Sequence, residues 1–139
     1  MSKRKIILMT LLAFSSGMFT HAQLYARPHQ VTVDPLPQNV SSGKASWYSK
    51  RSPGIRKRTA NNEIFNDQAY TAAMWGVPFN QMVKVTNLDN GKSVVVRVND
   101  RGPHKRYVRR GRVIDLSKQA FADIASLKRG LIKVQLEFM

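Results

Sequence analysis

The sequence predicts a small all-β domain, a barrel of five or six short strands with one helix, and three observations carry that reading. Val83 and Val85 alternate with Lys84 and Thr86, and Val94, Val96 and Val98 alternate with Val95 and Arg97, on either side of Asp89-Asn90-Gly91-Lys92. Period two on both flanks of Asn-Gly is the pattern of a β-hairpin. Ile132, Val134, Leu136 and Phe138 repeat the alternation near the C-terminus. The strands recur at the spacing of a small barrel.

The chain opens with Lys3, Arg4 and Lys5 ahead of an apolar run from Ile6 to Phe19, and Thr20-His21-Ala22 offers small residues at the positions a signal peptidase reads. Residues 1–22 are therefore expected to be a secretory signal peptide, cut after Ala22, with Ala26 as the alternative. The rival is a membrane anchor. Spanning a bilayer takes roughly 20 apolar residues, and this run is shorter and broken by Ser15, Ser16 and Gly17. The chain has no cysteine, which excludes disulfides, thiolate metal sites, a cysteine nucleophile and a lipid-bearing N-terminal cysteine. A periplasmic or secreted protein that is not a lipoprotein is expected. Removing the signal takes three cations and no acid, so the formal charge falls from +15 to +12. That excess suggests an anionic partner: wall polymer, lipid head groups or extracellular nucleic acid.

Pro28, Pro35 and Pro37 and a Ser-Ser end make residues 23–42 a flexible linker, with the folded domain over 43–139. Ala45 to Tyr48 is a short strand candidate. Lys50, Arg51, Arg56, Lys57 and Arg58 then crowd a loop with Pro53 and Gly54. In the polar stretch Thr59 to Asp67, Asn62 suits a left-handed turn. The apolar piece Tyr70 to Trp75 is kept from continuing as a helix by Gly76 and Pro78. The second hairpin strand runs into Asn99-Asp100-Arg101-Gly102-Pro103, a carboxylate at a strand end beside a guanidinium; taken alone, these five residues read more readily as an Asx-type turn than as a site. Lys105, Arg106, Arg109, Arg110 and Arg112 form a second basic loop, and Gly111 hands over to Val113-Ile114-Asp115-Leu116. Ser117 is the expected N-cap of a helix to about Leu127, with Ala120, Phe121, Ile124 and Leu127 on one face and Gly130 as its stop. Asp115 reads as a residue that caps that helix or pins the turn before it.

Seven motifs then occur in one order: Gly43-Lys44-Ala45-Ser46-Trp47-Tyr48, Thr59-Ala60-Asn61-Asn62-Glu63-Ile64-Phe65, Thr71-Ala72-Ala73, Val77-Pro78-Phe79, Val85-Thr86-Asn87-Leu88 with Asn90-Gly91, Asn99-Asp100-Arg101-Gly102-Pro103, and Val113-Ile114-Asp115-Leu116-Ser117. From Gly43 to Phe138 the chain resembles the rare lipoprotein A (RlpA) family. The resemblance implies a six-stranded double-psi β-barrel and lytic transglycosylation of peptidoglycan glycan strands, which cuts between N-acetylmuramic acid and N-acetylglucosamine and leaves a 1,6-anhydro end. It implies no metal or organic cofactor. Asp100 matches the family's essential aspartate and is the expected acid/base. Glu63 matches a second family carboxylate, expected to steady the developing positive charge or orient the sugar; as a bare residue it also reads as a solvated loop acid. Trp47 and Tyr48 suit a sugar groove or a core. Arg101, Lys105 and Arg106 are the expected cationic contacts to substrate, and the protein is expected to act as a monomer.

The chain departs from the family pattern at Asn66, where the family carries aspartate, and at Met74, where it carries histidine. Met74 can neither move a proton nor donate a hydrogen bond. Asp67, His104 and Arg101 are the candidate supporting residues that stand near the altered positions. The family's lipid-bearing cysteine and its C-terminal wall-binding repeat are not seen here. The alternative is a non-catalytic wall-binding or expansin-like module on the same barrel. A nucleic-acid or lipid binder is the third reading, and against nucleic acid stands the scarcity of aromatics in the basic loops, where Tyr107 is the clear one.

Overall fold

The computed structural model describes residues 39–139 and turns the alternating segments into six strands: β1 (Val40–Tyr48), β2 (Thr71–Met74), β3 (Met82–Asn87), β4 (Ser93–Asp100), β5 (Arg112–Ser117) and β6 (Leu131–Phe138). Two short helices, α1 (Lys105–Val108) and α2 (Lys118–Ile124), and a 3-10 turn at Leu127–Arg129 complete the chain. The expected signal peptide and nearly all of the expected linker lie outside the described residues. No helix among the described residues is long and apolar enough to cross a membrane.

The strands close into a double-psi barrel in the order β1-β5-β2-β4-β3-β6. β1 runs parallel to β5 and antiparallel to β6, and β2 runs parallel to β4 and antiparallel to β5. In the hairpin Val83 faces Val96 and Val85 faces Val94, so the period of two becomes one buried face. Val83, Val85, Val96 and Val98 meet Ile114, Leu116, Val134 and Leu136 in the interior, all out of contact with water. Each such side chain contributes about 1.5–3 kcal/mol on burial. Ser117 caps α2, its hydroxyl accepting from the Ala120 amide at 3.4 Å, and the helix adds Ala120, Phe121 and Ile124 to the same cluster. The hairpin turn is tied to the end of that helix, because Asn87 and Asn90 both donate to the Ile124 carbonyl, at 2.8 and 3.0 Å.

Three local expectations are corrected. β1 begins at Val40, so Val40, Ser41 and Ser42 are strand rather than linker, paired with Glu137, Leu136 and Gln135. α2 stops at Ile124 because Ala125 is extended, and Leu127 belongs to the separate 3-10 turn that ends at Gly130, where φ is +65°. The second basic loop contains a helical turn, α1, started by the His104 side chain, which accepts from the Arg106 amide.

Two register shifts shape the upper end of the barrel. Ala72 pairs with Val98 but Ala73 pairs with Asp100, so Asn99 is an inserted residue and Asp100 is turned to the face that carries Ala73. Between β1 and β5, Lys44 pairs with Arg112 and Ala45 with Ile114, leaving Val113 as the extra residue. Val113 lies across Gly43: a Cβ built there would stand 2.6 Å from both Val113 methyls.

Candidate active site

The site grows from the face of the barrel opposite its core. Ile114 and Leu116 point inward, so Asp115 between them points the other way, beside Ser46 of β1, whose hydroxyl donates to Asp115 Oδ1 at 3.0 Å. By the same alternation Tyr48 shares a face with Ser46, and it joins Phe65 and Ala73 in a second, smaller apolar cluster. The Tyr48 and Phe65 rings stack at 4.7 Å. Above this floor lies a groove of about 910 Å³, lined among others by Tyr48, Ala73, Trp75, Asp100, Arg112 and Asp115. The loop Ser52–Arg56 forms one wall, and His104, Arg106 and Tyr107 form the other.

Asp100 stands in this groove with one oxygen occupied. Its Oδ1 accepts from the amides of Ala60, at 2.9 Å, and Arg101, at 2.8 Å. Among the described residues its second oxygen has no protein hydrogen-bond partner. The two arginines that flank Asp100 in the chain bond to other groups: Arg97 binds Glu63 and Asn80, while Arg101 donates to the Met74 carbonyl at 3.1 Å and lies 3.7 Å above the Phe79 ring.

Glu63 is held by three side chains. It does not line the groove that holds Asp100. Arg97 grips both its oxygens at 2.8 Å, and Asn61 and Asn99 donate to it at 2.8 and 3.0 Å. The Arg97 bonds, then those from Asn99 and Asn61, hold its carboxyl down at about 2. The clamp fastens the Thr59–Glu63 turn, in which Asn62 has φ +73°, against β4, and so holds the Ala60 amide on Asp100.

The carboxylate that shares the groove with Asp100 is Asp115, held by Arg112 Nε as well as by Ser46. The sequence reads Asp115 as a helix cap or a pin of the turn; the signal for its place here is its position between two inward-facing residues of a strand. The Tyr48 hydroxyl is buried without a hydrogen-bond partner. Burial first, then the charges of Asp100 and Asp115, push its ionisation well above the ordinary tyrosine range, so it remains a hydrogen-bond donor.

Trp47 is anchored by its indole donating to the Leu127 carbonyl at 3.2 Å and packs on the core while lining the groove. Arg106 lines the groove and stacks over Tyr107 at 4.6 Å. Lys105 stands outside the groove, on an adjoining cleft. His104 lines the groove as the cap of α1. Asp67 is drawn away from it, accepting from the Lys50 amide at 3.1 Å, a bond that lowers its pKa. Asn66 is exposed and accepts from Gln68. The Met74 side chain is buried in the barrel core.

A family model described as lytic transglycolase matches residues 40–136. The endolytic peptidoglycan transglycosylase RlpA of Vibrio cholerae is 49% identical over 98 residues, which cover 70% of this chain and 35% of that one. The protein of the same description from Campylobacter jejuni is 46% identical over 99 residues, 70% of this chain and 34% of that one. The chain spans about a third of the length of the curated relatives it matches. Among solved structures, a Streptomyces papain inhibitor superposes with a TM-score of 0.57 at 24% identity, over 73% of this chain and 96% of that one. The expansin of Clavibacter michiganensis superposes with a TM-score of 0.53 at 20% identity, over 72% and 50%. At these identities the likeness to both structures is one of fold.

Proposed function

This chain belongs to the RlpA-like lytic transglycolase family, and from that membership we infer that its groove cuts the glycan strands of peptidoglycan by lytic transglycosylation, outside the cytoplasmic membrane. The observation that carries the reading is the state of Asp100: one oxygen is fixed by two backbone amides and the other is left for a ligand, in a groove that also holds Asp115.

A glycosidic oxygen leaves only when protonated, as an oxocarbenium-like centre develops at the sugar carbon. The free oxygen of Asp100 donates that proton, and the C1–O bond breaks. The C6 hydroxyl of the same sugar then bonds to C1 and returns its proton to Asp100, which closes the 1,6-anhydro ring and restores the acid. Asp115, fixed by Arg112 and Ser46, places a negative group where the positive charge grows. The Tyr48 phenol, buried beside Asp100, supplies a donor to that carboxylate once its proton is gone. Glu63, through Arg97, supports Asp100 from behind by keeping the Ala60 amide in place.

One observation favours a second reading, wall binding without cleavage: the family's histidine position is filled by Met74, buried in the core. Incubation with peptide-free glycan strands, followed by mass spectrometry of the ends, separates the two. Anhydro ends that vanish in Asp100→Asn support the lytic reaction. Reducing ends would make the protein a hydrolase, and uncut strands that remain bound would leave only binding.

A further inference from the structure

Trp75 follows β2 directly and is nearly half exposed, at 47%. Its ring is held in place, because the indole N–H donates to the Pro103 carbonyl at 2.8 Å. With that donor used, the indole offers a ligand its apolar surface. Trp75 lines the groove of Asp100 and Asp115 and also an adjoining cleft of about 460 Å³ whose other walls are Lys105, Val108 and Arg109. Lys105 and Arg109 are four residues apart across α1 and its cap, so their side chains leave from one side of the turn. Among the described residues neither has a carboxylate partner: the ion pairs are Lys84 with Glu137, Arg97 with Glu63, Arg112 with Asp115, and Arg129 with Asp89.

We propose that this cleft is a subsite for a sugar carrying a carboxylate, with the pyranose stacked on Trp75 and its carboxylate between Lys105 and Arg109. Carbon-bound hydrogens on one face of a pyranose suit an aromatic surface, and two unpaired cations on the rim suit an anionic substituent. Because one indole borders both spaces, a strand lying past Asp100 continues into the cleft without a break. The proposal rests on the reading that the groove takes a glycan strand, and it assigns the recognition of the carboxylate-bearing sugar to three side chains remote from the reacting bond.

The test is calorimetric titration of the whole chain with three ligands: peptide-free oligosaccharides of alternating N-acetylglucosamine and N-acetylmuramic acid, the same oligosaccharides with their carboxylates reduced to alcohols, and chitin oligosaccharides of equal length. The carboxylate form is expected to bind about tenfold more tightly than the other two. The Lys105→Gln/Arg109→Gln double variant, confined to exposed side chains, should abolish that preference and leave the weaker affinities as they were. Trp75→Ala should weaken all three by about tenfold, with thermal unfolding as the check on its fold. Equal binding of the three ligands, unchanged preference in the double variant, or displacement by inorganic phosphate as effectively as by the free carboxylate sugar would overturn the proposal. If the wild-type chain leaves strands uncut but shows the preference and its loss, the cleavage reading fails and the subsite stands; if it cuts strands with no preference, the subsite alone fails.

Discussion

Glu63→Gln separates a structural role for this carboxylate from a chemical one. In the folded chain four hydrogen bonds from Arg97, Asn61 and Asn99 lower the Glu63 pKa from 4.5 to about 2. The unfolded chain therefore takes up this proton near pH 4.5 and the folded chain only near pH 2. Its contribution to stability is complete above about pH 4.5 and is lost as the pH falls towards 2. A shift of that size in a dry site would correspond to about 3 kcal/mol. The side chain is 40% exposed, and solvent screening brings the expected figure to about 1 kcal/mol. The amide keeps a carbonyl for one Arg97 nitrogen but turns an NH2 group towards the other or towards Asn99, so urea denaturation at pH 7 should show a loss of about 1–2 kcal/mol. The gap to wild type should close as the pH is lowered from 5 to 2.5, and a gap constant over that range would refute the ion-pair account. Turnover per folded molecule should fall less than about tenfold. A fall of a hundredfold or more at unchanged stability, the signature of a lost proton-transfer group, would return Glu63 to the chemistry.

Asp115→Asn removes the charge from a largely buried pair and leaves Arg112 uncompensated; a loss of about 2 kcal/mol in urea denaturation is expected, together with reduced release of anhydro ends. Tyr48→Phe deletes a buried hydroxyl that has no partner, so the thermal midpoint should hold or rise while turnover falls by about tenfold; a lower midpoint with full turnover would remove the phenol from the site. Gly43→Ala forces a methyl into the Val113 side chain and should cost about 1–3 kcal/mol, measured by the same unfolding curves. Retention on wall polymer should weaken steeply as salt is raised from 0.05 to about 0.5 M, since the exposed cations of the two loops are screened over about 10 Å at 0.1 M.

The hairpin, β6 and the capped start of α2 were legible because each is a local pattern: valines at every second position around Asn-Gly, and a serine ahead of an apolar helical face. The left-handed Asn62 was legible for the same reason. What escaped was set by distant partners. Ser41 and Ser42 look like linker until β6 is there to pair with them, and α1 has no apolar periodicity because none of its residues is buried. The place of Asp100 was readable from its motif, but its turn into the groove depends on the extra residue Asn99 opposite Ala72 and Ala73. The clamp on Glu63 was not legible because its partner Arg97 belongs to another strand. Asp115 was passed over because its company with Asp100 appears only once β5 lies between β1 and β2.

The pairing of Val40 with Glu137 joins the first strand of the barrel to its last, and it governs when this domain can come into being. Until β6 is in place, β1 and β3 each lack a neighbour and the valine interior stays wet. Loop closure over nearly the entire domain comes before the reward of burial, which makes for slow folding. The barrel therefore closes only when its last strand is in place.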